Sequence, residues 1–131
     1  MRKIILLLVL LSVAVAGCSS GTPAKKLNIE LNDFTITPNQ ITVQAGSEVS
    51  INVTNNGTIE HDLIIMMLGT DIGDTFGDDD RENVLWVVSL QPGETTSGTF
   101  TVPDQPGTYQ IVCSLPGHMQ AGMTGTLEVI K

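Results

Sequence analysis

From residue 27 onward, apolar residues alternate with polar ones at the two-residue period of a strand that buries one face. Leu27, Ile29 and Leu31 form one such set, Val49, Ile51 and Val53 a second, and Tyr109, Ile111 and Cys113 a third. Further runs at 41–43, 62–66, 84–90, 96–102 and 126–130 read as additional strands. Turn signals separate them: Thr37-Pro38-Asn39, Ala45-Gly46, Asn55-Asn56-Gly57, Gln91-Pro92-Gly93, Val102-Pro103-Asp104 and Gln105-Pro106-Gly107. No segment carries a convincing amphipathic helical pattern. About eight strands at this spacing predict an all-β chain folded as a β-sandwich.

Two stretches break the pattern. The first is the N-terminus, where Met1-Arg2-Lys3 precedes an apolar run from Ile4 to Ala16 that is short for a membrane span. This reads as a secretory signal peptide over residues 1–17, the rival readings being an uncleaved anchor or ordinary cleavage beside a chance cysteine. Its last residues, Val15-Ala16-Gly17-Cys18, resemble a bacterial lipobox, which implies that Cys18 is lipidated and becomes the first residue of the mature chain. Several acyl chains hold a protein stably to a membrane where a single chain does not. The expected organisation is therefore a signal peptide, a lipidated tether over 18–26 and one domain over 27–131, held on the extracytoplasmic (periplasmic or outer) face of a membrane.

The second break is Gly69–Asn83, which carries Asp71, Asp74, Asp78, Asp79, Asp80 and Glu82 against Arg81 alone. The order of acidic residues and glycine that an EF-hand requires is missing. The stretch reads either as a solvated loop or as a docking patch, centred on Asp78, Asp79 and Asp80, that steers a cationic partner. Six basic side chains against fourteen acidic ones give a net charge of −8, and without Arg2 and Lys3 the balance is four against fourteen, or −10. Such an excess excludes ordinary nucleic-acid binding, which needs a basic surface.

The chemistry concentrates near the C-terminus, in Cys113-Ser-Leu-Pro-Gly-His118-Met-Gln-Ala-Gly-Met123. With His61, this segment supplies a thiol, two imidazoles and a thioether, the donor set of a mononuclear blue-copper site. A thiolate donates strongly to Cu(II), the imidazoles complete a trigonal plane, and a weak axial thioether tolerates both oxidation states. Taken singly, each residue has a plainer role, as a buried small hydrophobe, a solvated turn residue or a core filler. Taken together those plainer roles lose weight, because the chain has two histidines and the donor set uses both. If Cys18 is lipidated, Cys113 has no disulfide partner in an oxidising compartment, and a metal bond would protect it.

On these residues the chain resembles the cupredoxins, the blue-copper electron carriers, and within them most closely the auracyanins and plastocyanins. The resemblance spans residues 27 to 131. It implies a Greek-key sandwich in which His61 opens a strand and Cys113, His118 and Met123 share the loop between the last two strands. It also implies that Met123, in Gly122-Met123-Thr124-Gly125, is the axial ligand, with Met119 packed near the exposed edge of His118. His118 would be the electron port, inside an apolar patch of Pro116, Gly117, Met119 and Ala121. Ser114 would hydrogen-bond to residue 62, which is Asp62 here where the family usually has asparagine.

The function so implied is one-electron transfer by one type 1 copper ion cycling between Cu(II) and Cu(I), in a monomer serving a redox protein such as a c-type cytochrome or a membrane oxidoreductase. A copper-delivery or storage lipoprotein is the alternative. A multicopper enzyme would need further histidines, and a binuclear copper domain a second cysteine where Gly117 stands.

Overall fold

The structure, a computed structural model, describes residues 22–131; the expected signal peptide and Cys18 lie outside the described residues. Nine strands are formed: β1 Lys26–Asn32, β2 Thr35–Thr37, β3 Gln40–Gln44, β4 Glu48–Asn55, β5 His61–Met66, β6 Val84–Leu90, β7 Thr95–Thr101, β8 Gly107–Val112 and β9 Thr124–Ile130. They make a four-stranded sheet in the order β2-β1-β4-β7 and a five-stranded sheet in the order β3-β9-β8-β5-β6. The chain passes repeatedly between the sheets, giving the expected β-sandwich.

The alternating sets account for the core. Leu27 and Ile29 on β1 lie beside Ile51 and Val53 on the parallel strand β4, while Ile41 and Val43 on β3 lie beside Leu127 and Val129 on β9. All of these side chains are buried in one apolar cluster between the sheets. β5 is different, because every residue from His61 to Met66 is buried. Its outer face is covered by a second cluster, in which Ile64, Met66 and Val112 pack against Ile72 and Met119. A run that is apolar on both faces needs such a cover, and the loop after β5 provides it.

Two elements depart from the sequence reading. β2 is three residues long, too short to register as an alternating run, and is held to β1 with Leu31 opposite Ile36. Within the acidic stretch, Asp78–Asn83 forms a 3-10 helix, and the Gly77 N–H donates to Asp80 Oδ2 at 2.7 Å. The expected tether is also partly held: the Ala24 N–H donates to Thr42 O at 2.9 Å, and β1 begins at Lys26.

Candidate metal centre

The start of β5, the end of β8 and the start of β9 meet at one end of the sandwich, since Ile64 pairs with Val112 and Val112 with Thr124. His61 is therefore delivered beside the loop that runs from Cys113 to Met123. The turn before His61 is pinned by Asn55, which is fully buried. Its Nδ2 donates to Ile59 O at 2.8 Å and Leu90 O at 2.9 Å, and its Oδ1 accepts the Gly57 N–H at 2.9 Å.

The loop is folded by its own backbone. Cys113 N–H donates to Met123 O at 3.2 Å, Met123 N–H to His118 O at 2.9 Å and His118 N–H to Leu115 O at 3.1 Å. Gly117 and Gly122 directly precede His118 and Met123, with φ of 84° and 99°. Those left-handed conformations favour glycine and turn the chain back toward the site twice. The spacing of the three residues thus follows from two glycine turns closed by the bond between Cys113 and Met123.

The donors converge. His61 Nδ1 and His118 Nδ1 are 3.3 Å apart, Cys113 Sγ is 3.3 Å from His118 Nδ1, and all three donor atoms lie within 4.8 Å of one another. Two nitrogens each about 2 Å from one metal ion would themselves be about 3.3 Å apart. His61, Cys113 and Met123 are fully buried and His118 is 5% exposed. Burial pushes the Cys113 thiol up to about 12, and the nearby Asp62 charge adds to that rise. Burial also lowers the pKa of His118, reinforced by His61 beside it. A pocket that disfavours a free thiolate and a free imidazolium favours a cation held by a thiolate and neutral imidazoles. With a thioether from Met123 added, these residues fit one type 1 copper ion.

A family model of the cupredoxin-like domain matches residues 3–129. The chain belongs to the cupredoxin-like family. It is 31% identical over 123 residues to auracyanin-B of Chloroflexus aurantiacus, an alignment covering 90% of this chain and 48% of that protein, so the chain spans about half the length of that relative. Among solved cupredoxin structures, it is similar to reduced auracyanin from Roseiflexus castenholzii, with 25% identity, TM-score 0.71 and coverage of 84% of this chain and 100% of the other. Auracyanin A of Chloroflexus aurantiacus, described as a blue copper protein, is 27% identical with TM-score 0.61, covering 80% and 99% of the two chains.

Asp62 and Ser114 are joined as expected: Asp62 Oδ1 accepts the Ser114 N–H at 2.6 Å and Oδ2 accepts its hydroxyl. Met119 is not a surface residue at the His118 edge; it is 9% exposed and packs into the second cluster under the β5–β6 loop. His118 is also less open than expected, because the Phe34 ring stands edge-on to it at 5.1 Å and 77°. Phe34 itself is 42% exposed, with φ of 67°, so the apolar surface over His118 includes an aromatic ring from the far sheet. Pro116 and Gly117 are exposed and share a cavity of about 170 Å³ with Thr75 and Phe76, just before the 3-10 helix. Asp78 pairs with Arg81 Nε at 3.1 Å and Asp80 bonds to Gly77, leaving Asp79 and Glu82 as the helix's exposed acids whose side chains make no such bond.

Asp33 and Phe34 were not legible in the sequence. An aspartate between Leu31 and Ile36 reads as a turn residue, and nothing local indicates that its side chain meets residue 61.

Proposed function

We propose that this cupredoxin is a one-electron carrier with a mononuclear type 1 copper centre, ligated by Cys113 Sγ, the Nδ1 atoms of His61 and His118, and axially by Met123. The observation that carries this reading is the convergence of three donor atoms within 4.8 Å in a buried site. When bound, the copper would supply a Cu(II)/Cu(I) couple. The chain supplies a cage: β5, β8 and β9 hold the donors, and burial excludes water, so little need rearrange between the two oxidation states. His118, the least buried of the ligands, with the partly exposed Phe34 ring at its edge, would be the electron port. A delivery or storage role is less well served, since release requires opening a site whose donors are almost wholly buried. Both histidines are used in this one site, which leaves none for a second, catalytic copper.

Residues 1–18 support export and lipid anchoring on the extracytoplasmic face. A redox partner such as a basic c-type cytochrome or a membrane oxidoreductase would dock on Pro116, Gly117 and Phe34, guided by the acidic 3-10 helix beside them. The deciding experiment adds Cu(II) to the chain purified without residues 1–18. An intense blue or green band, bleached reversibly by a one-electron reductant and absent from Cys113→Ser, is expected. Retention of that band without the sulfur would reject the assignment.

A further inference from the structure

The β1–β2 turn places Asp33 against the back of His61. His61 Nε2 is 3.1 Å from Asp33 Oδ1, while Asp33 also accepts the Thr58 N–H on Oδ1 at 2.9 Å and the Thr58 hydroxyl on Oδ2 at 2.7 Å. We propose that Asp33 is a positioning residue of the copper site, fixing the tautomer and orientation of His61 and favouring the oxidised state through its charge; this rests on the copper reading above.

The geometry supports each part. A carboxylate only accepts, so the bond to Asp33 requires the proton on His61 Nε2 and, in the neutral ring that a metal needs, leaves the Nδ1 lone pair free. Nδ1 is the atom that faces His118 Nδ1 at 3.3 Å. The carboxylate is held by two bonds from Thr58 and the imidazole is fully buried, so the ring is set by the carboxylate rather than the reverse. The approach also depends on Gly57. A Cβ there would lie 2.5 Å from Asp33 Oδ1 and 2.7 Å from His61 Nε2, inside any allowed contact. A carboxylate behind a metal-bound imidazole raises the basicity of the ligand, and a negative charge near the site stabilises the more highly charged metal ion. Asp33 is 36% exposed, so solvent screens part of that effect.

The test uses nitrogen NMR of the histidine rings in metal-free full-length protein, then reduction potential and copper affinity. Wild type should show His61 protonated at Nε2, and Asp33→Ala should lose that single tautomer and bind Cu(II) roughly 10- to 100-fold more weakly. Asp33→Asn keeps an acceptor but not the charge. It should retain the tautomer while the preference for Cu(II) over Cu(I) falls roughly threefold, a rise in potential of about 28 mV at about 59 mV per tenfold. Thr58→Val, which removes one anchor of the turn and no charge, should leave the potential near wild type. A wild-type His61 protonated at Nδ1 overturns the proposal without any variant. So do an Asp33→Asn potential equal to wild type, or an equal shift in Thr58→Val, which would make the turn's structure responsible. A wild type lacking the blue band would instead reject the copper reading, leaving the metal-free imidazole measurement to decide the role of Asp33.

Discussion

Asp62 accepts two hydrogen bonds from Ser114, one from its backbone N–H and one from its hydroxyl. The residue after the upstream histidine is thereby tied to the residue after the cysteine, across the two strands that carry the ligands. Asp62 is 6% exposed, so its charge is poorly screened and favours Cu(II). Asp62→Asn should keep one acceptor and raise the reduction potential by some tens of millivolts, as removal of a nearby unit charge at an effective dielectric of about 20 implies. Voltammetry at neutral pH checks it, and a potential equal to or below wild type would show that the charge does not reach the metal.

Met123 and Met119 separate cleanly by environment. Met123 is fully buried beside Cys113, whereas Met119 belongs to the cluster with Ile64 and Ile72. Met123→Leu should preserve the visible band and raise the potential, because a donor that favours Cu(II) is lost, and Met123→Gln should lower it. Met119→Leu, a swap of similar volume in an apolar cluster, should leave the potential unchanged and cost less than about 1.5 kcal/mol of stability. The reverse pattern of potentials would move the axial role to Met119.

Copper uptake should release a proton. In the metal-free protein, burial holds the Cys113 thiol up at about 12, whereas the bound form is a thiolate. The lowered pKa of His118 leaves its ring neutral near pH 7. With the thiol protonated at neutral pH, loading must expel the Cys113 proton, so the apparent Cu(II) affinity should rise roughly tenfold per pH unit from about pH 7 to 9. Competition titrations with a chelator of known pH dependence measure this slope, and a flat profile would mean the thiol is already ionised.

On the 3-10 helix, Asp78 and Asp79 can be changed without touching the Asp80 bond to Gly77. Asp78→Asn together with Asp79→Asn should slow association with a basic cytochrome at low salt. The difference should shrink as the Debye length falls to about 8 Å at physiological ionic strength. Equal stopped-flow rates at low salt would make the helix plain solvated surface.

The primary structure carried the sandwich and the donor set because both are encoded locally. Leu27, Ile29 and Leu31 face one way in any extended chain, and Cys113, His118 and Met123 lie within one loop whose glycines set its turns. His61 was legible because the chain has one other histidine. What touches those ligands was decided by the tertiary structure. Asp33 and Phe34 are consecutive turn residues on the four-stranded sheet, yet one bonds to His61 and the other covers His118, contacts created only when the sheets pack. Met119 could not be assigned a side from its place in the loop, because its direction depends on whether Ile72 and Phe76 cover β5. Strand periodicity reports which face of an element is apolar, but the environment of a ligand is set by residues far along the chain, brought within hydrogen-bonding range by the fold.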